Sequence, residues 1–130
     1  MKKIAVLFFI IGLASCNSQE KKETSFINVN VEEFQKEIQG ENIQLVDVRT
    51  PKEYKKGHIE NAVLINFFDK DFKVISTNKL DKNQPVYVYC RSGGRSAKAA
   101  EMYKAAGFKK VYNLLGGFNA WSAKGLKIEN

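Results

Sequence analysis

The sequence predicts one α/β domain with a mostly parallel central sheet and helices on both faces. Two observations predict it. Apolar runs at residues 43–48, 62–65, 86–89 and 110–114 read as strands, and stretches with helical spacing separate several of them. A chain of 130 residues, 44% hydrophobic with two prolines and nine glycines, has material for one hydrophobic core. No internal repeat is visible.

The domain is preceded by a segment of different character. Met1-Lys2-Lys3 is a basic head, and residues 4–13 form an apolar run interrupted by one glycine. That run is too short to span a bilayer as a helix and has the length of a signal-peptide core. It ends in Leu13-Ala14-Ser15-Cys16, which resembles the lipobox of bacterial lipoproteins. The resemblance implies that residues 1–15 are removed and that Cys16 is lipidated, with several acyl chains giving a stable anchor. Residues 16–25 then read as a flexible, polar tether, and residues 26–130 as the domain. The expected location is the surface of a bacterial cell membrane, inner or outer, with the domain facing the periplasm.

Within the domain, Ile27 and Val29 alternate as in a short strand. Asn30, with Glu33 three residues on, is a helix N-cap, and Val31, Phe34 and Ile38 share one helical face that Gly40 ends. The run at 43–48 is the first strong strand, ending around Asp47, and Arg49-Thr50-Pro51 breaks it. Residues 52–56 form a short helical turn, and Gly57-His58-Ile59 leads to the strand at 62–65. Residues 66–83 carry Phe67, Phe68, Phe72, Val74, Ile75 and Leu80 at spacings that choose neither helix nor strand. The strand at 86–89 is followed by a small, basic loop and a helix over 97–106 that Gly107 closes. After the strand at 110–114, Gly116-Gly117 opens a helix carrying Phe118 and Trp121.

Charge excludes some functions. The chain carries +7, or +5 without Lys2 and Lys3, since 19 basic residues then face 14 acidic ones. The lysines are dispersed among acids, which describes a solvated surface and not a nucleic-acid-binding face. One histidine and two cysteines do not supply a structural zinc site, and no metal or other cofactor is expected. A lipidated Cys16 also leaves Cys90 as the lone thiol of an exported protein, in compartments that oxidise thiols.

Cys90 has the setting of a nucleophile. It stands at a strand end, before Arg91-Ser92-Gly93-Gly94-Arg95-Ser96 and a helix. Backbone N–H groups and the positive helix end lower a thiol's pKa there, and two arginines without an acid in the loop favour an anionic guest. Asp47, at another strand end, comes to the same edge of a parallel sheet, where sites form.

Four segments in order resemble the rhodanese (sulfurtransferase) family. They are Asp47-Val48-Arg49 with Glu53-Tyr54, Gly57-His58-Ile59-Glu60-Asn61-Ala62, the loop from Cys90 to Ser96, and Leu115-Gly116-Gly117-Phe118-Asn119-Ala120-Trp121. The resemblance implies a sulfurtransferase in which Cys90 takes the outer sulfur of an anionic donor such as thiosulfate as a persulfide. A thiol or cyanide then accepts it, in ping-pong fashion. Backbone N–H groups of residues 91–96 would cradle the persulfide. Arg91 or Arg95 would attract the donor, and Ser96 would either donate to sulfur or cap the helix.

Other readings stand beside this one. The same loop suits a non-catalytic sulfur-carrier or binding module. Cysteine phosphatases and arsenate reductases are disfavoured, because Cys90 to Arg95 is C-x4-R, one residue shorter than the C-x5-R loop that clasps a tetrahedral oxyanion. Cys90 could be a core cysteine, against which its basic neighbours argue. Asp47 and Arg49 are read as structural, Arg49 pairing with Glu53, and His58 as a satisfied residue beneath the sheet. Trp121 and the phenylalanines are read as core, and Tyr87 and Tyr89 as facing opposite sides of their strand.

Overall fold

The computed structural model describes Gly12 and residues 26–130. The expected signal peptide apart from Gly12, the lipidated Cys16 and the whole tether lie outside the described residues. In chain order the elements are β1 (Ile27–Val29), α1 (Val31–Glu37), β2 (Gln44–Asp47), α2 (Pro51–Lys56), β3 (His58–Ile59) and β4 (Val63–Leu64). There follow α3 (Phe72–Lys79), β5 (Val86–Tyr89), α4 (Gly94–Ala105), β6 (Val111–Leu114), α5 (Gly117–Ala123) and β7 (Ile128–Glu129).

Five strands form one parallel sheet in the order β1-β6-β5-β2-β4. The central strand β5 is buried on both sides, as parallel strands between helical layers are. Val86 and Val88 join Val46, Val48, Phe72, Ala99, Ala100 and Tyr103 in a cluster beneath α3 and α4. Tyr87 and Tyr89 join Leu45, Val31, Phe34, Leu114 and Trp121 in a second cluster beneath α1 and α5. The predicted α/β architecture with helices on both faces is therefore the one observed. Tyr87 and Tyr89 share a face, contrary to expectation, because side chains two apart on a strand point the same way.

Local chemistry explains most boundaries. Asn30 caps α1 by accepting the Glu33 N–H at 2.9 Å. Thr50 and Glu53 form a capping box on α2, with Pro51 in its first turn. Residues 66–83, illegible by spacing, contain α3. Its buried residues are Phe72 and Ser76, followed by Leu80 at its C-cap, and the polar middle member hides the pattern. Ser76 is fully buried because its hydroxyl meets the Tyr103 hydroxyl at 3.0 Å. Not all phenylalanines are core. Phe34, Phe72 and Phe108 are, whereas Phe68 is 66% exposed and lies 5.4 Å from the Arg95 guanidinium.

A small antiparallel ribbon was not anticipated. β3 pairs with β7, His58 opposite Glu129 and Ile59 opposite Ile128. Two-residue strands leave no periodicity to read. The Trp121 indole N–H donates to the Lys127 carbonyl at 3.0 Å, which fastens the approach to β7 onto α5.

Candidate active site

The site forms where β5 ends. Cys90 is buried, and Gly93 adopts a left-handed φ of 107° that turns the chain back over the sulfur. The Gly93 N–H then donates to Sγ at 3.1 Å. α4 begins at Gly94, three residues before the predicted start, because small and polar residues in its first turn carry no apolar pattern. Its N-cap is Gly93. Ser96 does not cap it: the Ser96 hydroxyl lies 3.3 Å from Sγ and 3.2 Å from the Gly93 carbonyl, the two acceptors it can serve.

Burial pushes the Cys90 thiol pKa up, but hydrogen bonding reverses the direction. The Ser96 hydroxyl and the N–H groups of Ser96, Gly93 and Ser92 all favour the thiolate, and the net shift is downward. The positive end of the twelve-residue α4 acts in the same sense.

A second set of N–H groups holds the loop from the other side. At the start of α5, the Phe118 N–H donates to the Cys90 carbonyl at 2.7 Å and the Asn119 N–H to the Arg91 carbonyl at 3.0 Å. Gly117 makes this approach possible. A Cβ there would lie 2.4 Å from the Cys90 carbonyl oxygen and 2.6 Å from the Arg91 carbonyl carbon, and its φ is +57°. The Gly116-Gly117 pair is thus part of the loop's support as well as a helix start.

Beneath the loop lies a buried polar network. The Asp47 carboxylate accepts from the Arg49 backbone N–H at 2.9 Å, from Arg49 Nη2 at 2.7 Å and from the Tyr89 hydroxyl at 2.7 Å. Tyr89 Oη also accepts the Ile59 N–H at 3.0 Å, and Arg49 Nη2 donates to the Gly57 carbonyl at 2.7 Å. Burial and the Asp47 charge push the Tyr89 pKa up, so its hydroxyl stays a donor. Arg49 stacks over the Phe118 ring at 4.1 Å.

Arg49 therefore pairs with Asp47 and not with Glu53 as expected. Two residues apart across the strand end, they reach each other directly, and both are buried. Glu53 instead forms a two-pronged pair with Arg95, at 2.8 and 2.9 Å, while completing the α2 capping box. The Arg95 hydrogen bonds, then those from Thr50, hold the Glu53 carboxyl down at about 2 against burial. Arg95 is thus committed, and Arg91 is exposed at the loop mouth. His58 sits apart: its ring stacks on Tyr54 at 3.7 Å, Nδ1 is 3.0 Å from the Tyr54 carbonyl, and Nε2 is 3.5 Å from Glu129.

Comparison with known proteins agrees with this fold. The sequence profile of the rhodanese-like domain family matches residues 30–124. The chain belongs to that family. A sulfurtransferase of Allochromatium vinosum is 38% identical over 88 residues, 68% of this chain and 79% of that protein. The thiosulfate sulfurtransferase GlpE of Coxiella burnetii is 36% identical over 86 residues, 66% of this chain and 78% of that protein. The rhodanese-like domain protein of Staphylococcus aureus superposes with a TM-score of 0.68 at 34% identity, covering 81% of this chain and all of that one. Other relatives are longer: the chain spans 54% and 62% of two Bacillus subtilis proteins that it matches.

In this rhodanese-like domain the structure gathers Cys90, the 91–96 loop, Arg49, Asp47 and Glu53 around one sheet edge and leaves His58 outside. Sequence reasoning missed the part of Tyr89, although it adjoins Cys90, and the clamp made by Gly117 and Phe118. A tyrosine in an apolar strand is indistinguishable from core until its hydroxyl has a partner.

Two outcomes follow from these contacts. Gly117→Ala will destabilise the domain by about 2–4 kcal/mol in urea unfolding, combining left-handed strain with a clash against backbone. Gly94→Ala, whose Cβ meets nothing within 4 Å, will not destabilise it. Glu53 has a depressed folded pKa, so its contribution is present above the unfolded value near 4.5 and lost as pH falls through about 2. Glu53→Gln, which keeps the capping geometry, will cost about 1 kcal/mol at neutral pH. The gap from wild type will close between pH 5 and 2, and a pH-independent gap would refute the ion pair.

Proposed function

We propose that this protein is a sulfurtransferase that carries a sulfane sulfur on Cys90. The observation that supports this most is the C-x4-R loop with N–H and hydroxyl donors converging on one buried sulfur. Such a cradle stabilises a thiolate and then a persulfide anion in the same place.

The Cys90 thiolate attacks the outer sulfur of thiosulfate. The new Sγ–S bond forms as the donor's S–S bond breaks, and sulfite leaves with the electron pair. Cyanide or a thiolate next attacks the outer sulfur, the Sγ–S bond breaks, and the Cys90 thiolate returns. No base is required once the thiolate exists, which fits the remoteness of His58. Arg91, exposed and without a side-chain partner among the described residues, draws the donor to the mouth, while Arg95, held by Glu53, positions the loop and first turn of α4. The Coxiella burnetii relative named a thiosulfate sulfurtransferase supports the same donor class.

The N-terminal sequence supports a membrane-surface setting. Leu13-Ala14-Ser15-Cys16 after a short apolar run would place a lipid on Cys16, with the domain on a tether at a bacterial membrane.

Treatment of the purified protein with thiosulfate will add the mass of one sulfur atom, and Cys90→Ser will abolish the addition. Absence of an adduct with both thiosulfate and polysulfide would overturn the enzyme reading. An adduct formed without turnover to cyanide or thiols would identify a carrier instead. Separately, Cys16→Ala will move the protein from the detergent to the aqueous phase on partitioning, and unchanged partitioning would refute the anchor.

A further inference from the structure

Beside the cysteine loop, an open cavity of about 260 Å³ is lined by Arg49, Glu53, Lys56, Arg91, Phe118 and Asn119. Its charges are unequally matched. Glu53 is engaged by Arg95 and Thr50, and Arg49 by Asp47 and the Gly57 carbonyl. Lys56 and Arg91 are exposed and make no side-chain hydrogen bond or ion pair among the described residues. Two uncommitted cations therefore line one cavity, with Phe118 and Asn119 completing its wall.

Position and size narrow the guest. Cys90 is absent from the lining, although Arg91 adjoins it in sequence and the Phe118 and Asn119 N–H groups bind the carbonyls of Cys90 and Arg91. A guest reacting at Cys90 would have its body in this cavity and its reacting atom in the neighbouring loop. Its volume is close to the lower end of small-molecule sites, about 300 Å³, and exceeds what an inorganic sulfur oxyanion fills. Anionic groups would be held by Lys56 and Arg91 through charge-assisted hydrogen bonds.

We infer that this cavity is the acceptor subsite for a low-molecular-weight thiol bearing carboxylates, an assignment that rests on the sulfurtransferase reading. The thiol enters as its thiolate, its proton released to solvent. Its sulfur attacks the outer sulfur of the Cys90 persulfide, the Sγ–S bond breaks, and the products are the acceptor's persulfide and the Cys90 thiolate. Lys56 contributes by holding the acceptor's carboxylate and takes no part in forming the persulfide.

The test uses the full chain loaded with sulfur from thiosulfate and freed of donor, then mixed with glutathione or glutathione diethyl ester at equal thiolate concentration. At low salt the free acid will discharge the persulfide about five-fold faster than the ester, a preference that salt will weaken. Lys56→Ala will remove the preference and Lys56→Arg will retain it, while discharge by cyanide remains unchanged in both variants. Equal rates for acid and ester in the wild type would overturn the assignment. So would a Lys56→Ala defect shared equally by both thiols and cyanide, or one confined to loading by thiosulfate, which would give the cavity to the donor. Failure to load any sulfur, seen before an acceptor is added, would instead overturn the sulfurtransferase reading.

Discussion

The Asp47 carboxylate is the point on which the site's architecture depends. It is wholly buried and receives donors from Arg49 and Tyr89. A carboxylate and a guanidinium removed from water carry a large desolvation cost, and only complete hydrogen bonding offsets it. Completion here requires four separate segments to meet: the end of β2, the residue before Cys90, the Gly57–Ile59 turn and the Phe118 ring. The network is consequently less a source of net stability than a condition on geometry. If any one segment moves, a buried charge or hydroxyl loses a partner, so the loop's base has one satisfactory arrangement.

The loop itself is built from backbone. Donors on Cys90 come from Gly93 and Ser96, and its carbonyl is held by Phe118 at the start of α5. Support thus reaches the cysteine from both flanking strand-to-helix turns. Burial alone would raise the thiol pKa and make the residue inert; the converging donors reverse the sign. The lowered pKa and the burial of Cys90 have the same structural origin, since the donors that favour the thiolate also enclose it.

The parallel sheet was legible because β5 and its neighbours are apolar runs of strand length between helical stretches. The helix over 72–79 was not, because Ser76 stands between the buried Phe72 and Leu80 and becomes tolerable there only with Tyr103 opposite. The Cys90 loop was legible as a compact run of eight residues, 89–96. The pairing of the site's cations was not: Arg49 had both Asp47 and Glu53 within reach along the chain, and Arg95 had no acid nearer than Glu101. The choice depends on which carboxylate is buried beside which guanidinium, and that is settled by packing.

The sequence by itself determined the α/β class, the position of Cys90 at a strand end and the short C-x4-R spacing, because each is a property of contiguous residues. Tertiary structure alone decided that Asp47 takes Arg49, that Glu53 takes Arg95, and that Gly117 brings α5 against the Cys90 carbonyl. These contacts join residues up to 42 positions apart, as with Glu53 and Arg95. Hydrogen bonding and desolvation act between neighbours in space, and folding must create those neighbours before either can select a partner.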